Sequence, residues 1–169
     1  MLKKIKLSRL VLDYNLYPRQ KIEPFNVGQI VEALKAGTQF PPLVADKASL
    51  RVTDGFHRVK AYQKLYGNPN VVVELKEYKT DAEIFSDAIR LNANHGRQLT
   101  LYDKAHCIAK AEDFNLELEV VSALLNLTPQ RMAEMRQART ATYKMQAVAL
   151  KRTTAHLAGT ELTAEQSQY

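Results

Sequence analysis

The sequence predicts an α+β fold, with a small mixed sheet and helices in the first part and an all-helical region after it. Up to about residue 80, short apolar segments bounded by turn residues alternate with amphipathic helical stripes. From about residue 100 onward only helical spacing and helix-capping signals recur. We therefore divide the chain into a mixed domain over residues 1–96, a helical domain over 97–157 and a tail over 158–169.

Composition indicates an ordinary soluble protein. The chain has 169 residues, of which 46% are hydrophobic and 25% charged, and this is enough to bury a substantial core. No apolar run approaches the roughly 20 residues that cross a bilayer. Lys3, Lys4, Lys6 and Arg9 interrupt any signal-peptide core. We expect a cytoplasmic protein without membrane association. A single cysteine, Cys107, excludes a disulfide framework and a cysteine-based metal cluster.

Strands and helices alternate in the first part of the sequence. A strand-like segment over residues 4–13 is followed by a helix that begins at the N-cap residue Asn26 and ends at Gly37. Residues 43–45 and 50–53 are separated by a turn, so they are predicted to pair as a hairpin. Residues 71–75 form the clearest strand of the chain.

Three capping signals mark the later helices. Thr80 and Glu83 have the form of a capping box, which predicts a helix to about residue 92 before a break at 94–97. Thr100 is the predicted N-cap of the next helix. Thr128 followed by Pro129 is a strong start for the last one.

A glycine corner follows the strand at residues 50–53 and opens a helix that runs to about Tyr66. Gly55 lies at the turn, where the absence of Cβ lets the backbone fold sharply or approach a ligand. The first N–H groups of a helix lack internal partners and attract anions, and His57, Arg58 and Lys60 add donors or positive charge beside them. We interpret the corner as a phosphate cradle. An ordinary strand–turn–helix corner with a solvated basic face explains the pattern equally well.

A second pattern resembles a helix-turn-helix. Residues 118–125 form a short amphipathic helix, residues 126–128 a turn, and Pro129 begins a second helix suited to the major groove. If Met132 and Met135 face inward, other side chains of this helix face outward. The predicted DNA contacts are Thr128 as the N-cap, Gln130, Arg131 and Glu134 for base reading, and Arg136, Arg139 and Lys144 for phosphates. An ordinary three-helix bundle is the alternative.

Charge placement favours a polyanionic partner. Residues 129–156 contain six lysines or arginines and a single acid, Glu134, within a chain of net charge +6. Residues 1–12 contain four lysines or arginines and no acid. Two basic segments around a slightly acidic middle are typical of a protein that binds nucleic acid. We expect double-stranded DNA as the partner, and we also consider a homodimer.

Together these residues resemble the ParB-like family, DNA-partition and regulatory proteins whose N-terminal domain shares a fold with sulfiredoxin. The likeness runs from about Tyr14 to Met135. Its motifs are Tyr17-Pro18-Arg19, Gly37 with Phe40-Pro41-Pro42, Asp54-Gly55-Phe56-His57-Arg58, and Asn92 to Arg97 followed by Leu99-Thr100. The last motif is closest in form to ParB-like regulators of antibiotic clusters and mobile elements.

The resemblance implies a nucleotide pocket, because partition proteins bind CTP between these motifs. Carried over by position, the residues around the phosphates would be Gly37, Gly55, His57, Arg58, Asn94 and Arg97. The implied cofactor is CTP or another nucleotide with Mg²⁺. The implied function is DNA binding in plasmid partition or transcription regulation, with CTP hydrolysis left open.

The alternative is a nucleotide-dependent enzyme of the same fold, such as a kinase, nucleotidase or nuclease. Such chemistry needs acidic groups near the cradle, and Asp54 and Glu23 are the candidates. Sulfiredoxin activity is disfavoured because Phe56 stands where that family has its catalytic cysteine. We interpret Cys107 as a core residue, and His95 and His106 as structural or surface residues rather than metal ligands.

Overall fold

A computed structural model describes residues 1–94 and 98–168. Most of the predicted break at residues 94–97 therefore lies outside the described residues, since 95–97 are not among them. The chain forms two compact units. The first contains residues 1–17 and 21–84, and the second contains residues 18–20 and the chain from Phe85 onward. Among the described residues, no helix combines the length and the apolar surface that spanning a bilayer requires.

A four-stranded mixed sheet forms the centre of the first unit. Its strands are β1 (Leu2–Lys6), β2 (Leu43–Asp46), β3 (Val52–Asp54) and β4 (Asn70–Lys76), in the order β1-β4-β2-β3. β4 runs antiparallel to β1 and parallel to β2, and β2 and β3 pair as the predicted hairpin. The first strand is shorter than predicted, since the chain turns into a 3-10 helix at Leu7–Arg9. The predicted α+β fold is confirmed.

Two helices pack together in the first unit, α1 (Pro24–Lys35) and α2 (Phe56–Tyr66). Val27 and Val31 of α1 meet Ala61 of α2 in a small apolar cluster. The predicted N-cap of α1, Asn26, is wrong: the N-cap is Glu23 and Pro24 occupies the first helical position. Proline suits that position because its fixed φ matches the helix and its missing N–H needs no partner there.

Four more helices follow β4 along the chain: α3 (Asp81–Asn94), α4 (Leu101–Asp113), α5 (Leu118–Leu124) and α6 (Pro129–Arg139). The boundary between the two units falls within α3. Thr100 is the N-cap of α4, as predicted, and it also forms a reciprocal capping box with Asp103. Phe85 of α3 packs against Phe114, with ring centroids 4.9 Å apart.

A β-hairpin follows α6 and corrects our expectation that no strand occurs after residue 100. It consists of β5 (Thr140–Tyr143) and β6 (Gln146–Ala149) in antiparallel register. Ala141, Leu150 and Leu162 form an apolar cluster at this hairpin. Leu162 belongs to the segment that we assigned to a tail, and it is buried here.

Candidate nucleic-acid interface and glycine corner

The glycine corner between β3 and α2 has a backbone that only glycine adopts easily. Gly55 has φ of 109° and ψ of 20°. A Cβ at this position would lie 2.4 Å from Cδ2 of Leu43 and 3.1 Å from Nη2 of Arg58. The sharp turn therefore agrees with the prediction for Gly55, and the atoms that approach it closely are side-chain atoms of Leu43 and Arg58. With no side chain, Gly55 cannot cap α2, and the first N–H groups of the helix lie beside the corner.

Arg58 is held by protein acceptors at this corner. Its Nη1 donates to the carbonyl oxygens of Pro41 and Pro42, the latter over 3.1 Å. Its Nη2 donates to Oδ2 of Asp54 over 2.7 Å. Only 9% of Arg58 is exposed. The guanidinium thus joins the segment before β2 to the start of α2, and it also neutralises Asp54, one of the two candidate catalytic acids.

His57 contacts two segments of the first unit. Its Nε2 accepts a hydrogen bond from the backbone N–H of Glu23 over 3.1 Å. Its Nδ1 lies 3.4 Å from the hydroxyl of Tyr17, whose ring stacks on Phe56 with centroids 4.3 Å apart. The imidazole therefore helps to fix the start of α1, and its role near phosphate stays a prediction.

The structure describes four of the six predicted nucleotide residues in full. Gly55, His57 and Arg58 lie within four residues of one another at the corner, and Gly37 follows the end of α1 with φ of 86°. The Asn94 side chain and Arg97 lie outside the described residues. Sequence reasoning missed Thr53, which immediately precedes this corner: its side chain is fully buried and Oγ1 has no hydrogen-bond partner within the described part of the chain.

Arg19, from the predicted Pro-Arg motif, is buried in the second unit. Its Nε donates to Oδ1 of Asn92 over 3.3 Å, and Nη1 lies 3.6 Å from Oδ2 of Asp103. Because Asp103 also belongs to the capping box of α4, Arg19 joins the ends of α3 and α4. No local signal in the sequence predicts these partners, since they lie more than 70 residues away.

The second helix of the predicted helix-turn-helix has one buried and one exposed face. Thr128 caps α6 by accepting a hydrogen bond from the Arg131 N–H over 3.1 Å. Met132 and Met135 are buried, as predicted. The exposed residues of α6 include Gln130, Arg131, Glu134 and Arg136. The buried face of α6 is therefore the one that the sequence predicted.

Glu134 accepts hydrogen bonds from Arg131 and Gln130, the two donors that we predicted to contact bases. Its Oε2 accepts from Nη1 of Arg131 over 2.9 Å, and its Oε1 accepts from Nε2 of Gln130 over 3.4 Å. All three side chains are exposed. Such a surface ion pair contributes little stability, about 0.2–0.5 kcal/mol, so a ligand can displace it. The three side chains form one polar cluster at the N-terminal end of α6.

The predicted phosphate contacts have different surroundings. Arg136 donates to Glu112, and this hydrogen bond raises the pKa of Arg136 above its usual value. The guanidinium of Arg139 lies 4.7 Å from the centroid of the Tyr102 ring. Lys144 is exposed at the turn of the β5–β6 hairpin. Arg136 and Arg139 are therefore oriented by neighbours, while Lys144 extends from a hairpin that we did not predict.

Cys107 is a core residue, as predicted. It is fully buried, and its thiol donates to the carbonyl oxygen of Pro18 over 3.1 Å. Burial raises the pKa of the thiol far above its ordinary value, so it stays protonated. This environment does not suit a nucleophile.

Three solved structures are similar to the chain. Two are pNOB8-like ParB N-domains: one has a TM-score of 0.57 at 14% identity, with 88% of this chain and 57% of that one covered. The other has a TM-score of 0.54 at 15% identity, with 88% and 53% covered. The third is the C-terminally truncated chromosome-partitioning protein ParB from Caulobacter crescentus complexed to the centromeric parS site, with a TM-score of 0.55, 14% identity and 80% and 71% covered.

The chain has a ParB-like fold. The comparison of structures thus agrees with the fold that the resemblance of the sequence motifs implied. No family model and no curated protein matches the sequence. The chain spans little more than half the length of the two pNOB8-like structures. The ParB-like fold accounts for the mixed sheet, but the roles of individual residues do not follow from it.

Proposed function

We propose that the chain is a sequence-specific DNA-binding protein of the ParB-like type, acting in partition or transcription regulation through α6. The observation that carries this proposal is the two-sided character of α6. Met132 and Met135 anchor the helix, while the polar cluster of Gln130, Arg131 and Glu134 is exposed at its N-terminal end. This is the end from which a recognition helix contacts base edges.

The chemistry of the polar cluster suits major-groove recognition. Arg131 can donate two hydrogen bonds to guanine, Gln130 can pair with adenine, and Glu134 can accept from the amino group of cytosine. In the chain alone, Glu134 pairs with Arg131. Binding would exchange this surface ion pair for hydrogen bonds to bases. Because a surface ion pair contributes little free energy, breaking it on binding costs little.

The surrounding positive charge supports binding to the DNA backbone. Thr128, Arg136, Arg139 and Lys144 are the proposed phosphate contacts. From residue 135 to residue 160 the sequence contains five lysines or arginines and no aspartate or glutamate. The similar ParB of Caulobacter crescentus is itself complexed to parS, which is consistent with a duplex as the partner.

Selection of bound duplexes from a random pool tests the proposal. We expect a defined site to be recovered, with affinity that falls steeply as salt increases. Arg131→Ala should relax the base preference, at a cost of about 1–3 kcal/mol at one position. Arg139→Ala should weaken binding to all duplexes alike. Lys35→Ala removes one exposed charge of the first unit and serves as the control. If no site is enriched, or if Arg131→Ala and Lys35→Ala behave alike, the proposal fails.

We further propose that the glycine corner binds CTP or another nucleotide with Mg²⁺. The tight backbone at Gly55 and the uncapped start of α2 support an anion at this position. Arg58 and His57 would maintain the shape of the corner and lie next to the phosphates. The other proposed contacts are Gly37, Asn94 and Arg97. Mg²⁺ would neutralise charge on the phosphates when bound.

Calorimetric titration with CTP, ATP, GTP and UTP in the presence of Mg²⁺ tests this second part. We expect one nucleotide to bind more tightly than the others, and Arg58→Ala to abolish the heat of binding. Assays of phosphate release would show whether the nucleotide is hydrolysed, and light scattering would show whether it produces a homodimer. Equal, negligible heats with all four nucleotides would contradict the nucleotide site without affecting the DNA proposal.

A further inference from the structure

The β5–β6 hairpin continues directly from the proposed recognition helix. α6 ends at Arg139 and β5 begins at Thr140, and the Leu150 N–H donates to the Arg139 carbonyl oxygen over 2.8 Å at the base of the hairpin. The last pair in the register is Tyr143 with Gln146. The turn therefore consists of two residues, Lys144 and Met145.

The turn has an unfavourable sequence for its backbone. Lys144 has φ of 48° and Met145 has φ of 64°, so both are left-handed although neither is glycine. Two-residue hairpin turns of this kind strongly prefer Asn-Gly or Asp-Gly. Met145 is also 97% exposed, the highest value among the exposed large hydrophobic residues that the structure describes. A strained turn that extends a long apolar side chain into solvent is a feature that function can explain.

The rest of the hairpin is firmly held. Thr142 donates its N–H to the Thr160 carbonyl oxygen over 2.9 Å and accepts from the Leu162 N–H over 2.7 Å. The apolar cluster of Ala141, Leu150 and Leu162 packs beneath the strands. The exposed turn is thus carried on a stem fixed by both hydrogen bonds and apolar contacts.

The charge near the turn suits a polyanion. Lys144 is exposed next to Met145, and its Nζ lies 5.4 Å from the centroid of the Tyr143 ring. The sequence after the hairpin adds Lys151 and Arg152, both exposed. No carboxylate occurs in the sequence between Glu134 and Glu161. An acidic partner surface is therefore favoured over a basic or neutral one.

We propose that the β5–β6 hairpin is a second DNA-contacting element, whose turn enters the minor groove beside the site that α6 reads. This inference rests on the proposed role of α6. Met145 would act as an apolar wedge against base edges or between base steps, as methionine and leucine do in other minor-groove proteins. Lys144 would contact a phosphate at the edge of the groove.

The lengths of the elements allow this arrangement. From Arg131 to Arg139 the helix rises about 12 Å, and β5 extends about 13 Å. One turn of B-DNA is about 34 Å, so neighbouring major and minor grooves are about 17 Å apart. The turn and the N-terminal end of α6 can therefore reach adjacent grooves of one duplex.

Two substitutions separate folding from DNA binding. Met145→Gly removes the wedge and relieves the left-handed strain, while Lys144→Asn removes the charge and suits the same turn. Both variants should be at least as stable as the parent in thermal unfolding. With a 30-base-pair duplex recovered from the random pool, Met145→Gly should lower affinity about tenfold, the lower end of what burial of one methionine contributes. Lys144→Asn should reduce the slope of log affinity against log salt by about 0.9.

Hydroxyl-radical footprinting of the same complexes locates the contact. The parent protein should protect a minor-groove segment next to the α6 site, and Met145→Gly should lose that segment alone. Phe25→Ala removes an exposed aromatic ring of α1 and is the matched control.

If the duplex is bound with Arg131-dependent specificity but Met145→Gly changes neither affinity nor footprint, the hairpin inference fails and the proposed function stands. Altered self-association in light scattering, with unchanged DNA binding, would also overturn it in favour of a protein contact. If no duplex is bound, both fail.

Discussion

The backbone N–H of Glu23 donates to Nε2 of His57 over 3.1 Å. Glu23 is the N-cap residue of α1 and His57 lies in the first turn of α2. The hydrogen bond therefore joins the starts of the two helices of the first unit. A residue that we first selected for its position near a phosphate also determines where another helix begins.

Replacing His57 should destabilise the first unit. His57→Ala leaves the partly buried N–H of Glu23 without this acceptor, which typically costs about 1–3 kcal/mol. Urea unfolding measures the effect. Gln63→Ala, at an exposed position of the same helix, is the control and should change stability by less than about 0.5 kcal/mol. Equal stability of the two variants would contradict a structural role for His57.

Two glycines should respond in opposite directions to alanine. At Gly55 a Cβ would lie 2.4 Å from Leu43 Cδ2, and φ is 109°, so Gly55→Ala should cost about 2–4 kcal/mol. At Gly28, in the middle of α1, a Cβ meets nothing within 4 Å. Gly28→Ala should therefore stabilise the chain by up to about 1 kcal/mol. Thermal unfolding of both variants checks the prediction, and a neutral Gly55→Ala would refute the tight corner.

Glu134 should limit non-specific binding. Glu134→Ala removes a negative charge from the proposed interface and releases Arg131 and Gln130 from their shared partner. We expect tighter binding to random duplexes and a lower ratio of specific to random affinity. Fluorescence anisotropy with both duplexes measures this ratio. Glu165→Ala, at an exposed position in the same unit, should leave it unchanged; a similar drop for both variants would rule out a local effect.

Acid should weaken the fold partly through Asp46. Burial tends to raise the pKa of Asp46, but hydrogen bonds from the Ser49 hydroxyl (2.6 Å) and N–H (2.8 Å) more than compensate and hold that pKa below its usual value. Because the folded-state pKa is depressed, the stabilisation is present above the unfolded-state pKa of about 3.9 and is lost as pH falls through the folded-state pKa.

Urea unfolding between about pH 5 and pH 2 measures this loss. Asp46→Asn should be less stable near pH 7 and should show a shallower decline with acid than the parent. Asp113→Asn, at an exposed position, is the control. An unchanged slope in Asp46→Asn would show that other carboxylates account for the acid sensitivity.

Cys107 should be protected from thiol reagents in the folded chain. Its thiol is fully buried and donates to Pro18, and burial raises its pKa. Labelling with a chromogenic disulfide reagent should proceed only as fast as the chain opens, and should accelerate strongly in urea. Rapid labelling of the folded protein, at the rate of a free thiol, would contradict this placement.

Capping residues in the sequence correctly predicted where two helices begin. The N-cap Thr100 and the Thr128-Pro129 start both appear where expected. The spacing of the apolar residues also predicted correctly that Met132 and Met135 lie on the buried face of α6. These successes share a cause, since capping and helical period involve residues only a few positions apart.

Other features depended on partners that local patterns do not reveal. The β5–β6 hairpin was missed because its turn is Lys144-Met145, without the glycine or asparagine that usually marks such turns. The hydrogen bonds of Arg58 to the carbonyl oxygens of Pro41 and Pro42 were not predicted because these acceptors lie 17 and 16 residues earlier in the chain, while its place near phosphate stays a prediction. Asn26 was predicted as the cap because asparagine is a common N-cap residue, whereas the helix begins earlier, with Pro24 as its first residue.

The position of β1 gives the N-terminal lysines a second role. β1 forms an edge of the four-stranded sheet, and Lys3, Lys4 and Lys6 all lie on it. An unprotected edge invites strands of other molecules to add to the sheet, whereas a row of ammonium groups repels a second copy of itself. We therefore expect the lysines of β1 to hinder the pairing of this sheet edge with the same edge of a second copy.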